Sequence, residues 1–146
     1  MKFEILLNES IAASPQTTWQ VITDLANYSQ WNPFVIGCQS DLEAGSPIVM
    51  HVKLLQAFTL RQKETVRTHI RQEFLEYGIH IPGLLHSTRQ HKLSQNDAQS
   101  CYYESVFRLQ GLLAPLVGLL LGNRLRRGFT AMTEGLKREA EHQHQA

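Results

Sequence analysis

The sequence predicts an α+β fold in which an antiparallel sheet curls around one long C-terminal helix. One observation is the order of patterns: a strand, two short helices, about six strands at hairpin spacing and a long helix. The other is the apolar stripe of residues 112–140, which recurs at helical spacing. Its members are Leu121, Leu125, Phe129, Met132 and Leu136. Because so one-sided a helix is not stable alone in water, the strands must cover it.

Length and composition indicate one domain over residues 1–146, with a disordered tail at 141–146. The hydrophobic share of 42% and the charged share of 18% are ordinary for a globular protein. A formal net charge of +1 gives no general attraction for nucleic acid, so we expect no nucleic-acid partner.

The expected location is cytoplasmic. The first ten residues lack the pattern of a signal peptide. The longest apolar run, 112–122, is shorter than the roughly 20 residues that span a bilayer, so no stable membrane insertion is expected. Cys38 and Cys101 are too few for a disulfide framework, and we expect two reduced thiols.

The N-terminal third supplies one strand and two short helices. The strand is predicted at Lys2–Ala13, where β-forming residues partly alternate. Ser14 and Pro15 are typical of an N-cap and a first helical position, and this helix ends near Asn27. A second short helix or turn follows at residues 28–34.

Alternation between turn signals indicates six further strands. They are Val35–Leu42, Ile48–Leu55, Phe58–Ile70, Glu73–Ile81, Leu84–Leu93 and Cys101–Leu109, with a turn at 94–97. In the third of these, Arg61, Lys63 and Arg67 alternate with apolar residues, which is typical of a sheet with one solvated face.

Apolar side chains that alternation turns toward the helix either form an ordinary packed core or line a cavity. On the strands they are Met50, Val52, Leu54, Phe58, Leu60, Leu75, Tyr77, Phe107 and Leu109, and on the helix Leu121, Leu125, Phe129 and Met132. The helix also contains four glycines, each costing roughly 1 kcal/mol relative to alanine. Gly118, Gly122, Gly128 and Gly135 therefore indicate close backbone approach or space for another molecule.

Two polar residues share a strand face with Leu93. If Leu93 points inward, Arg89 and His91 do too. A cationic Arg89 suits a ligand carboxylate, carbonyl or phenolate oxygen, and His91 is a candidate general base. The alternative is that both are structural and pair with Gln62 or Glu64, since buried charges must be paired.

Tyrosines and the short-helix segment supply the remaining candidates. Tyr77 and Tyr103 present hydroxyls that a ligand can use. Asp24 and Asn32 are expected to cap or tie the short helices, and Trp31 to anchor packing under the cavity mouth.

Two segments carry a resemblance to a known family. The first is Trp19-Gln-Val-Ile-Thr-Asp24-Leu followed by Tyr28-Ser-Gln-Trp31-Asn-Pro33-Phe34, and the second is Phe107-Arg-Leu109-Gln-Gly111. The chain resembles the START-like, helix-grip superfamily, whose bacterial members are often labelled polyketide cyclase/dehydrase or SRPBCC proteins. It departs from the family where Phe107 occupies a position that is often glutamate, which places an acid/base role there in doubt.

The resemblance implies a seven-stranded antiparallel sheet gripping the C-terminal helix, with an apolar cavity between them. Its mouth would lie near the two short helices and the strand loops. Members bind lipids, sterols, polyketides, plant hormones or quinones, and a minority catalyse cyclisation or dehydration. Family membership therefore implies a pocket and not a reaction.

Three hypotheses follow. The chain binds a hydrophobic, lipid-, polyketide- or quinone-like molecule, or it is a cyclase or dehydratase using His91 with Tyr77 or Arg89. In the third, the pocket is vestigial and the apolar segment 112–121 docks a partner, a membrane surface or a second copy as a homodimer. No HExxH or CxxC motif or phosphate-binding glycine loop occurs, so we expect no metal and no cofactor.

Overall fold

A computed structural model describes residues 2–146. Its single sheet is antiparallel throughout, in the order β1-β8-β7-β5-β4-β3-β2, and the two-residue β6 pairs with the start of β7. The strands are β1 (Lys2–Ile11), β2 (Val35–Gln39), β3 (Pro47–Leu55), β4 (Phe58–Ile70), β5 (Phe74–Gly78), β6 (His80–Ile81), β7 (Leu85–Asp97) and β8 (Ser100–Gln110). The sheet curls into a half-barrel around the long helix, which confirms the predicted fold class.

Three helices complete the described part of the chain. Helix α1 (Pro15–Thr23) begins as predicted, because Ser14 Oγ accepts a hydrogen bond from the Thr17 amide at 3.1 Å. A short 3₁₀ helix (Leu25–Gln30) precedes β2, and the long helix α2 (Ala114–Gln145) crosses the concave face of the sheet.

The core lies between the sheet and α2. Phe129, Met132 and Leu136 of the predicted stripe are buried, and Ile5 and Leu75 from the sheet are buried with them. Helix α1 packs beside this core through its buried Trp19.

The helix glycines allow close approach of neighbouring groups. A Cβ at Gly135 would collide with the main-chain oxygen of Trp31, and one at Gly128 would collide with the Phe34 ring. Gly118 and Gly122 face the Phe3 ring. Of the two predicted explanations for these glycines, close approach is the one observed.

Several element boundaries differ from the predictions. The strand expected over 73–81 is divided at Ile79, whose amide donates to Ser87 Oγ at 2.8 Å and whose carbonyl accepts from the Ser87 amide at 2.9 Å. The turn expected at 94–97 was wrong, because β7 continues to Asp97 and the turn is Ala98-Gln99.

The tail expected to be disordered is helical to Gln145. Glu141 holds it in place, because its carboxylate accepts from the Ala12 amide at 2.9 Å and from Lys137 at 2.8 Å. Near the end of the helix, His144 Nε2 lies 2.6 Å from Gln99 Oε1. Ala12 and Gln99 are distant from the tail in sequence, so local composition did not indicate them.

Candidate functional site

A cavity of about 280 Å³ lies between the concave face of the sheet and α2. Its wall is mostly apolar, and three ionisable or amide side chains and one phenol interrupt it. The lining residues are Phe34, Val35, Met50, Val52, Leu54, Leu60, Gln62, Glu64, Tyr77, Leu85, Arg89, Phe107, Leu109, Val117, Leu121, Leu125 and Phe129.

The cavity runs to the end of the molecule at which α2 begins. Leu54 is the last residue but one of β3, Leu60 lies near the start of β4, and Leu85 is the first residue of β7. Val117 and Leu121 cover the same region from the first turns of α2. The alternation of β2, β3, β4, β7 and β8 therefore delivers between one and three apolar side chains from each strand to a shared space.

Arg89 is the cation of the cavity and is only 4% exposed. Its Nη1 donates to Ser105 Oγ at 2.6 Å and to the Val106 carbonyl at 3.3 Å. The guanidinium carbon lies 4.6 Å from the centre of the Phe129 ring. Within residues 2–146 it forms no salt bridge, and these hydrogen-bond partners are neutral groups.

Glu64 places a carboxyl group in the same wall. Burial raises the pKa of Glu64 to about 7, against the opposing influence of Arg67 and Arg89. The group can therefore exist with or without its proton near neutral pH. Gln62, two residues earlier on β4, lines the cavity beside it.

Behind the cavity wall, His91 is hydrogen-bonded to two tyrosines, one at each ring nitrogen. Its Nε2 lies 3.1 Å from the Tyr77 hydroxyl and its Nδ1 lies 2.7 Å from the Tyr103 hydroxyl. Burial, together with the charge of Arg89, holds the pKa of His91 well below its usual range, so the ring is neutral. A neutral imidazole has one donor and one acceptor, so one tyrosine donates to it and the other accepts from it.

The two tyrosines remain protonated as well, since burial raises the pKa of both Tyr77 and Tyr103. Only Tyr77 of this trio lines the cavity. The trio therefore fixes the orientation of Tyr77 in the cavity wall, while His91 is 1% exposed and has both ring nitrogens engaged.

Eleven of the residues predicted to line a cavity or bind a ligand do line this one. They are Met50, Val52, Leu54, Leu60, Tyr77, Arg89, Phe107, Leu109, Leu121, Leu125 and Phe129. Five do not. Phe58 is 54% exposed at the start of β4, while Leu75, His91, Tyr103 and Met132 are buried in the packed core beyond the cavity wall. His91 consequently does not occupy the place that the predicted general base requires.

The expected pairing of Arg89 or His91 with Gln62 or Glu64 was also wrong. Arg89 bonds to Ser105 and main-chain carbonyls, and His91 bonds to the tyrosines. These partners lie on β5 and β8, the two neighbours of β7, and only the strand order reveals them.

Phe34, Val35 and Val117 were not among the predicted lining residues. Asn32 positions the backbone of Phe34 and Val35, because its Oδ1 accepts hydrogen bonds from their two amides at 3.0 and 2.9 Å. Asn32 was predicted to cap or tie the short helices, but its side-chain hydrogen bonds instead order the start of β2. Trp31 packs edge-on against Tyr28, with ring centres 5.0 Å apart, and does not line the cavity.

Other site chemistries find little support in the described part of the chain. No three His, Cys, Asp or Glu side chains between residues 2 and 146 converge on a point that suits a metal ion. Cys38 and Cys101 are both buried and free. Across the same residues, no helix has the length and apolar character needed to cross a bilayer.

Comparison with known proteins gives one family. A sequence model of the family described as polyketide cyclase / dehydrase and lipid transport matches residues 5–141. A search of curated proteins gave no match.

Solved structures share the fold at low sequence identity. The Zhui aromatase/cyclase from Streptomyces sp. R1128 is similar with a TM-score of 0.73 and 16% identity, over 97% of this chain and 94% of its own. A START superfamily protein from Mycobacterium smegmatis gives 0.69 and 15%, over 97% of each chain. Norcoclaurine synthase from Thalictrum flavum gives 0.72 and 12%, over 100% and 98%. At such identities these structures establish a START-like fold alone.

Proposed function

Because the chain belongs to the polyketide cyclase / dehydrase and lipid transport family, we propose that it binds a hydrophobic small molecule between the sheet and α2. The observation that carries this proposal is a cavity of about 280 Å³ whose apolar wall contains a buried Arg89 with no salt bridge among the described residues. An apolar molecule with one oxygen-bearing group would fill the space and accept a hydrogen bond from the guanidinium.

The charge of Arg89 restricts the polar group of the ligand. A carboxylate or phenolate oxygen forms a charge-assisted hydrogen bond with a guanidinium, and a carbonyl oxygen forms a weaker one. The Tyr77 hydroxyl offers a second polar contact. The volume lies just below the roughly 300–1,000 Å³ of typical ligand pockets, which favours a compact molecule.

Native mass spectrometry of the purified protein is the first test. A discrete added mass that disappears on denaturation would show that the cavity is occupied and would identify its occupant. A titration with 1-anilinonaphthalene-8-sulfonate, an apolar anion, then measures affinity. We expect one saturable site per chain that weakens at least tenfold in Arg89→Gln, since a charged hydrogen bond contributes about 1.5–3 kcal/mol.

A matched pair of tryptophan variants locates the site. Leu121→Trp fills the cavity, whereas Leu119→Trp adds the same side chain at a position that is 82% exposed. Leu121→Trp should lose the saturable site and Leu119→Trp should keep it. Equal binding by both variants would contradict the proposal.

Proton-transfer catalysis of the cyclase or dehydratase kind is the second candidate, and the position of Glu64 favours it. Its carboxylate would remove a proton from the carbon beside a ketone, while Arg89 holds the enolate oxygen. The same proton would return to a leaving β-hydroxyl, so that an enone and water are formed.

Absorbance of the enone from a β-hydroxy ketone probe tests this candidate. Glu64→Gln should lower the rate by about 100-fold or more while probe binding persists. The exposed Glu134→Gln variant is the control. An unchanged rate in Glu64→Gln would eliminate Glu64 as the proton carrier.

A further inference from the structure

Exposed apolar side chains are concentrated at one end of the molecule. Eight of the ten large apolar side chains exposed within residues 2–146 lie there: Phe58, Ile81, Leu84, Leu112, Leu113, Leu116, Leu119 and Leu120. The other two, Leu6 and Ile70, lie elsewhere on the sheet. We call residues 53–61, 79–88 and 111–127 the leucine-rich end.

These three segments meet in space. Leu54 and Leu60 of the first segment line the cavity together with Leu85 of the second and Val117 of the third. The Leu113 amide, just before α2, donates to the Leu84 carbonyl at 3.0 Å. The leucine-rich end therefore surrounds the part of the cavity that the first turns of α2 cover.

Along α2 the exposed face changes from apolar to basic. Leu116 and Leu120 are one turn apart, and Arg127 continues the same face about 10 Å further along the helix axis. Arg124 and Arg127 also line a surface groove with Lys53. Among the described residues none of these three cations forms a salt bridge.

The charge of the chain is divided in the same way. The leucine-rich end carries five cations, Lys53, Arg61, Arg124, Arg126 and Arg127, and no aspartate or glutamate. The rest of the chain carries nine lysines and arginines and all 13 aspartates and glutamates. The net charge of +1 is therefore the sum of +5 at the leucine-rich end and −4 elsewhere. β1 begins beside this end, and its Glu4 is paired with Arg108 at 2.6 Å.

We propose that the leucine-rich end docks on the surface of an anionic lipid bilayer. Leucines on such a face enter the boundary between headgroups and acyl chains to a depth of about 5–10 Å, and the arginines further along α2 then lie at the level of the phosphates. Docking of this kind is peripheral and requires no spanning helix.

A second copy of the chain is the competing occupant. Two copies that bury their leucines in a two-fold contact would bring the same five cations of each chain close together, and like charges oppose that contact. An anionic leaflet instead complements both the leucines and the cations. Docking of this surface would also bring the cavity to the membrane, where its ligand could be exchanged. Ligand exchange rests on the proposed function, whereas docking itself does not.

Vesicle co-sedimentation tests the docking. Vesicles of phosphatidylcholine with about one third phosphatidylglycerol should bind the protein, and vesicles of phosphatidylcholine alone should bind it much less. Binding should fall steeply as salt is raised, because the charges act near the surface. Arg124→Gln should weaken binding roughly fivefold, and Arg138→Gln, an exposed cation far along α2, should not.

The apolar contribution has its own matched variants. Leu116→Ser with Leu119→Ser and Leu120→Ser should abolish binding, whereas Leu6→Ser with Ile70→Ser should leave it unchanged, although all five side chains are exposed. In a third variant, Leu119→Trp, quenching by brominated acyl chains should place residue 119 within the bilayer.

Absence of binding to anionic vesicles by the wild-type protein would overturn the proposal. In that case a dimer, detected by light scattering, that the triple serine variant dissociates would identify a second copy as the occupant. The cavity-filled Leu121→Trp variant separates the two proposals, because it should bind vesicles and not 1-anilinonaphthalene-8-sulfonate.

Discussion

Glu64 brings a carboxyl group into an otherwise largely apolar wall. Burial raises its pKa from 4.5 to about 7, so the folded protein keeps a proton that the unfolded chain releases above pH 4.5. Folding stability should consequently fall as pH rises from about 4.5 to 7, and should change no further through this group above that range. The partial access of Glu64 to the cavity reduces the effect.

The Glu64→Gln variant should remove this pH dependence. At pH 8 we expect it to be more stable than wild type by about 1–3 kcal/mol, and at pH 4 the two should be equal. Urea unfolding at both pH values measures the difference. The exposed Glu134→Gln variant should show no such gap, and a Glu64→Gln variant that is less stable than wild type at pH 8 would contradict the assignment.

His91 connects the hydroxyl groups of two buried tyrosines. Replacing it by leucine leaves the hydroxyls of Tyr77 and Tyr103 without the imidazole, so we expect a loss of about 2–4 kcal/mol in the free energy of unfolding. Urea unfolding measures this loss. His142→Leu, at an exposed position near the end of α2, should change stability by less than about 0.5 kcal/mol.

Sequence alternation on β7 placed Arg89 and His91 on one face, and both are buried in the structure. It did not separate a residue that lines the cavity from one that lies behind the wall. That distinction depends on β5 and β8, since Tyr77 pairs with Arg89 and Leu75 pairs with His91. Phe58 was misplaced for a similar reason, because alternation does not show that the β3–β4 turn is left uncovered.

At the scale of elements, α2 packs closely at Gly135 against Trp31, the residue that directly follows the 3₁₀ helix. An alanine Cβ there would collide with the Trp31 main-chain oxygen, and neither backbone can yield easily. Gly135→Ala should therefore destabilise the protein by about 1–3 kcal/mol, although alanine alone would favour the helix by about 1 kcal/mol.

Asn123→Ala is the control for Gly135→Ala. Asn123 is exposed on the same helix, so alanine should raise stability by a few tenths of a kcal/mol. Thermal unfolding of the two variants compares them. A stabilising Gly135→Ala would show that the close contact with Trp31 does not limit the packing of α2.

Periodicity predicted the existence and type of nearly every element, because each buries one face. Boundaries failed where a partner distant in sequence decides them. The strand predicted over 73–81 is interrupted at Ile79 because of its bonds to Ser87, and α2 is extended to Gln145 through contacts with Ala12 and Gln99. The residues next to Ile79 and next to Gln145 do not indicate which distant residues will bond to these segments.

At the scale of the whole molecule, the cavity links ligand binding to global stability. A ligand that binds only the folded state stabilises it by about 2.7 kcal/mol at a concentration of 100 times Kd. For a domain of 146 residues, this corresponds to an increase in Tm of about 5–10 °C. This increase in Tm should depend on the cavity between the sheet and α2, and it should not depend on the exposed leucines of α2.

Thermal unfolding with 1-anilinonaphthalene-8-sulfonate tests that linkage. The wild type and the triple variant Leu116→Ser, Leu119→Ser and Leu120→Ser should both gain Tm, because neither alters the cavity wall. Leu121→Trp should gain none. A gain that the triple variant loses and Leu121→Trp retains would place the binding on the outer surface of α2, and the cavity would then be a void enclosed by the sheet and helix with no ligand of its own.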